Sequence, residues 1–170
     1  LNVGLYVELK KPDFHKKHGF NISQEVLKVL YQNDYLSSSD KVYIQCFDDV
    51  TLKNLKTKTS IKLVQLIGLN SWKETQINYE KMMAERGLKK ISTYADAIGV
   101  YLGYFIGETK KVKNPKKTIK FLKSLGLDVH VYTVRSDELP KSFKSTQQLL
   151  KALKKMGVGG YFSDQPDLRR

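Results

Sequence analysis

The sequence predicts an α/β fold with a parallel sheet and helices packed outside it. Two observations carry that expectation. Short apolar runs rich in Val, Ile, Leu and Tyr recur six times along 170 residues, and stretches of helical periodicity with recognisable ends lie between them. Strict alternation of strand and helix favours parallel pairing with the helices outside.

The first strand spans Val3 to Leu9 within GLYVELK, an apolar run that finishes on Glu8 and Lys10 before Lys11 and Pro12. A strand rarely ends on a carboxylate and an amine unless something charged sits between them; the plain alternative is a surface ion pair. His15 and His18 fall in the loop that follows. Ser23 caps a helix over Gln24 to Gln32, and the second strand runs from Lys41 to Phe47. Asp48 then opens a short helix carrying Leu52 and Leu55, and Ile61 to Ile67 form the third strand. A helix over Thr75 to Arg86, closed by Gly87, leads to the fourth strand, Ala97 to Leu102. Asn114 as N-cap and Pro115 at the first helical position start a helix that Gly126 closes after Leu125. The fifth strand is Asp128 to Val134. Ser145 caps the last helix, Thr146 to Met156, which Gly157 closes; its stripe of Leu149, Leu150, Leu153 and Met156 suits packing on a sheet. Gly160 to Ser163 form the sixth strand, and Pro166 with Asp167 fit its exit into a helix start.

At 41% hydrophobic content, residues 1–170 are expected to form a single domain with a sizeable core. No apolar run is long enough for a membrane span. There is no signal-peptide pattern, and because the chain opens directly in a strand an upstream segment is expected. The single cysteine, Cys46, has apolar neighbours and reads as a buried thiol. Thirty basic against seventeen acidic residues give a net charge of +13, which attracts polyanions at long range. Lysines crowd between Lys110 and Lys123 with no acidic residue among them, the pattern of a solvated outer face or of a surface for an anionic partner. Aromatic residues are nearly absent from that run, which disfavours single-stranded nucleic acid. His15-x-x-His18 is a weak metal pattern, with no Cys or carboxylate placed to complete a zinc site.

An eight-unit barrel takes about 250 residues, roughly 31 per unit, and six units are counted here. The pattern alone leans to an open doubly wound sheet, which needs no absent partner.

Motifs at the strand ends reverse that preference. In order come GLYVELK, PDFHKKHGFNI (Pro12 to Ile22), VYIQCFD (Val42 to Asp48), LVQLIG (Leu63 to Gly68), YADAIG (Tyr94 to Gly99), VHVYTVRSDELP (Val129 to Pro140) and YFSDQPD (Tyr161 to Asp167). The series resembles barrel units three to eight of the glycerophosphodiester phosphodiesterases, especially the larger bacterial periplasmic type. The resemblance implies a TIM-type (β/α)8 barrel of which this chain supplies about six βα units, the first two missing or on another chain. It implies a secreted or periplasmic-like phosphoric diester hydrolase of lipid metabolism that converts glycerophosphodiesters to an alcohol and glycerol 3-phosphate.

Within that resemblance Glu8 is a metal ligand for Ca²⁺ or Mg²⁺, and Lys10, on the same strand face, is phosphate-binding. His15, Gln45, Phe47, Gln65, Tyr132 and Arg135 line the substrate pocket, and Trp72 covers the mouth or anchors a loop. Asp96 and Asp164 fix turns, and His130 packs. The family's two catalytic histidines, one in a His-Arg-Gly motif on strand one and one after strand two, have no counterpart here, so no catalytic residue is expected in this chain. The implied partner is an N-terminal chain or segment carrying strands one and two, joined through the barrel's own strand edges. The alternative is an inactive relative whose basic surface binds phosphorylated or anionic partners. A third reading, an unrelated open α/β nucleic-acid-binding domain, is favoured only by the charge.

Overall fold

The computed structural model describes residues 3–107, 111–165 and 167. Lys110 of the lysine run and Pro166 of the last turn lie outside the described residues. The strands are β1 (Leu5–Glu8), β2 (Val42–Cys46), β3 (Lys62–Ile67), β4 (Ala97–Tyr101), β5 (Asp128–Val134) and β6 (Gly160–Ser163), and their order in the sheet is their order in the chain. The chain divides into two compact units, Leu1–Ala97 and Ile98–Arg170.

In the first unit β1 pairs parallel with β2, and β2 with β3, with Glu8 opposite Gln45 and Cys46 opposite Gln65. Alternation along the strands separates two faces. One carries Val42, Ile44, Cys46, Leu63 and Ile67, all fully buried. This face meets the helices, among them α3 (Asp49–Lys56), which buries Leu52 and Leu55, and α5 (Glu85–Ile91), which buries Leu88 and Ile91. Each such side chain contributes about 1.5–3 kcal/mol relative to exposure. β1 is pinned beyond its own length: Leu9 N donates to the Gln45 carbonyl (2.9 Å), and Cys46 Sγ donates to the Leu9 carbonyl (3.2 Å).

Three local features differ from the sequence reading. The segment after β1 is not a loop but a helix, α1 (Pro12–Lys17), started by Pro12 with Asp13 in its first turn, so His15 is helical. Helix α2 (Ile22–Gln32) begins earlier than expected because Asn21, not Ser23, accepts from Gln24 N (3.2 Å). The stretch read as Thr75 to Arg86 is two helices, α4 (Tyr79–Met82) and α5. Asn78 caps α4 by accepting from Lys81 N (2.9 Å), and Gly87 lies inside α5 rather than ending a helix. A Cβ on Gly87 would fall within 2.6 Å of the Met82 backbone, so this glycine is there for close approach of α4.

In the second unit β5 pairs parallel with β6, His130 opposite Gly160. Helix α6 (Pro115–Ser124) is capped by Asn114, which accepts from Lys117 N (3.1 Å), and buries Ile119 and Leu122. Helix α7 (Thr146–Met156) is capped by Ser145 and ends at Gly157 in the left-handed region, φ 94°. Leu149 and Leu153 are its buried face.

Candidate functional site

The strand register of the first unit assembles a polar group on the face turned away from the helices. Glu8 and Gln45 are opposite each other on β1 and β2, with Val64 next on β3. Tyr6 and Tyr43 stack on the amino-terminal side of that row, ring centroids 4.9 Å apart, and Lys62 Nζ lies 5.4 Å from the Tyr43 ring. Two residues further toward the carboxyl ends stand Lys10 and Phe47, Lys10 exposed to solvent.

Glu8 Oε1 and Gln45 Oε1 are both buried and have no hydrogen-bond partner among the described residues. Leaving such atoms unpaired costs free energy, so they mark a place where something else belongs. Burial pushes the Glu8 carboxyl above the usual carboxylate range, Lys10 opposes this through space, and Glu74 adds to it. Two hard oxygens fit part of the donor set of Ca²⁺ or Mg²⁺. The rest of such a set is not at hand: no three His, Cys, Asp or Glu groups converge among the described residues.

An aromatic wall borders this group. Phe47 packs edge-on against Tyr79 with centroids 6.0 Å apart. Gly68, just past β3, makes room: a Cβ there would lie 3.1 Å from Phe47 Cε1 and 2.8 Å from Trp72 Cε3. Trp72, in the 3-10 turn Asn70–Trp72, stays 41% exposed.

Gln65 is not with Gln45. Its position opposite Cys46 puts it on the helix side, fully buried. Its Nε2 donates to the carbonyls of Phe47 (2.9 Å) and Leu66 (3.0 Å), and its Oε1 accepts from the Tyr94 hydroxyl (2.8 Å). His15 meets Phe14 and Phe20, and His18 Nδ1 bonds the Phe14 carbonyl (2.8 Å). A cleft of about 460 Å³, bounded by residues such as Lys16, Phe20, Asp48 and Val50, includes none of the sequence-predicted site residues.

In the second unit Tyr132 is half-buried beside Tyr101, ring centroids 6.4 Å apart. Arg135 donates to Asp137 from Nη2 (2.7 Å) and Nε (3.2 Å), and Asp164 lies 3.5 Å from its Nη1. Gln165 Oε1 accepts from Ser136 N and Oγ (2.8 and 2.7 Å), tying the exit of β5 to that of β6. His130, nearly buried, faces Asp128 through Nε2 (3.2 Å). Asp96 Oδ2 accepts from Leu63 N (2.8 Å), a bond to β3 rather than within the turn its motif suggested.

Sequence reading missed Glu74, which sits in no motif. It also missed Gly68, whose place directly after an apolar strand was a signal of close approach.

Residues 1–168 match the model of the glycerophosphoryl diester phosphodiesterase family. A Haemophilus influenzae glycerophosphodiester phosphodiesterase is 37% identical over 97% of this chain, and one from Treponema pallidum is 31% identical over 98%. The chain spans about half the length of these relatives, 51% and 52%. Among solved structures, the glycerophosphodiester phosphodiesterase of Thermotoga maritima matches with a TM-score of 0.61 at 12% identity, covering 95% of this chain and 54% of its own. A Galdieria sulphuraria protein given the same functional description matches with a TM-score of 0.66 at 17% identity, covering 98% and 55%. These structural likenesses show the fold: an α/β chain supplying six βα units of the TIM type.

Proposed function

Because the chain belongs to the glycerophosphoryl diester phosphodiesterase family, we propose that it supplies part of a metal-dependent glycerophosphodiester phosphodiesterase. The products of that reaction are an alcohol and glycerol 3-phosphate. The observation that carries this reading is Glu8, a carboxylate at the end of a strand whose buried Oε1 has no partner among the described residues. Glu8 holds the divalent cation, Ca²⁺ or Mg²⁺, which when bound supplies positive charge against the charge developing on phosphate oxygens. Lys10 holds a phosphate oxygen as a point charge. Phe47 gives the substrate an apolar wall. Arg135, already held by Asp137 and Asp164, steadies the loop beside it. Gln65, with its amide fully engaged, supports the wall through the Phe47 carbonyl rather than meeting substrate itself.

Proton transfer requires groups that this stretch does not offer. His15, His18 and His130 lie in no His-Arg-Gly motif, so the two histidines come from a partner segment outside these 170 residues. The test is release of glycerol 3-phosphate from glycerophosphocholine in the presence of Ca²⁺. The chain alone is expected to be inactive, and the chain joined to a segment with the His-Arg-Gly motif active. In the joined protein Glu8→Gln should lower kcat/KM by about 10²-fold or more. A joined, folded protein without turnover would sink the proposal.

A second reading rests on α6 and α7, which carry seven lysines and no carboxylate between them. An inactive relative would use that surface for phosphorylated or anionic partners. It predicts salt-sensitive binding of such partners with no turnover even in the joined protein.

A further inference from the structure

We infer that Gln45 supplies a second protein oxygen to the cation site at Glu8. The inference rests on the reading above that a divalent cation binds at Glu8. Gln45 is only 8% exposed, and its Oε1 is one of two buried side-chain oxygens without a partner among the described residues. The other is Glu8 Oε1, and the two residues are opposite each other in the β1–β2 register. Side chains at opposed positions of adjacent strands rise side by side on one face.

The surroundings offer Gln45 little else. Val64, the next residue across on β3, is fully buried and apolar, and Gln65 faces the other way with its hydrogen bonds already made. Glu8 Oε1 and Gln45 Oε1 are two buried oxygens at opposed positions with no donor for either among the described residues, and a cation answers both. A neutral amide oxygen is also a donor that Ca²⁺ and Mg²⁺ accept readily beside a carboxylate. The competing arrangements are a proton on Glu8 shared with Gln45, or a turned amide whose Nε2 donates to Glu8; neither needs a metal.

Calorimetric titration of CaCl₂ and of MgCl₂ into the metal-stripped joined protein separates these cases. Wild type is expected to bind, Glu8→Gln to lose binding, and Gln45→Leu to bind at least about tenfold more weakly. Gln45→Glu, which keeps the shape and adds charge, should bind more tightly. If Gln45→Leu binds like wild type while Glu8→Gln does not, the role of Gln45 is wrong and the cation at Glu8 stands. If wild type does not bind, or Glu8→Gln binds equally well, both are wrong. Should Gln45→Leu fail to give a wild-type circular dichroism spectrum, Gln45→Glu decides, and unchanged or weaker affinity overturns the inference.

Discussion

Gln65 lies one step along β3 from Val64, and that step puts its amide among the helices instead of beside Glu8. Gln65→Leu removes the acceptor of the Tyr94 hydroxyl and the donor to the Phe47 carbonyl. The expected loss is about 1–3 kcal/mol, read as a lower urea midpoint, and Tyr94→Phe should cost less, about 1 kcal/mol. Cys46 tests the same layer. Burial pushes its thiol up to about 12, so the folded state keeps it neutral. A group raised in this way contributes its stability in full below the thiol pKa of the unfolded chain. That contribution is lost as pH rises toward 12. Native protein at pH 8 should therefore react far more slowly with an aromatic disulfide reagent than protein in denaturant; equal rates would mean an accessible thiol. Glu8 and Lys10 were legible as a charged strand end. The side taken by Gln65 was not, because its neighbours in LVQLIG are apolar on either side and a strand buried on both faces shows no alternation.

Helix ends follow local chemistry closely where the cap residue is unambiguous. Helices α6 and α7 begin behind Asn114 and Ser145 as expected, and α7 ends at Gly157. Strands β5 and β6 also have the bounds their composition suggested. The failures occur where one residue type has two uses. Gly87 has the position of a helix stop, yet its missing side chain serves the approach of the α4 backbone. Gly87→Ala should therefore be destabilising by about 1–3 kcal/mol despite the better helix propensity of alanine. Chemical denaturation would show a lower midpoint with an unchanged slope; a stabilised variant would refute the close-approach role. Asn21 and Ser23 can both cap, and the nearer downstream amide, Gln24 N, went to Asn21.

For the molecule as a whole, alternation gave the right class and number of strands, but periodicity alone favoured an open sheet over the barrel family. The choice lay in the ordered strand-end motifs, because the length of a βα unit is much the same in either architecture. The charge was legible in total and in the lysine run from Lys110 to Lys123. Placing it on α6 and α7 predicts that replacing Lys116, Lys117, Lys120 and Lys123 by Gln lowers the salt needed to elute the protein from a cation exchanger at pH 7. Unchanged elution would mean that this helix is not on the surface that binds the resin. Trp72 has a use of a different kind. It is the one tryptophan in 170 residues, it lies against Gly68 at the edge of the Phe47 wall, and it is partly open to water. Its intrinsic fluorescence is therefore a label-free optical reporter at that edge, where exclusion of water by a bound ligand would shift the emission to the blue.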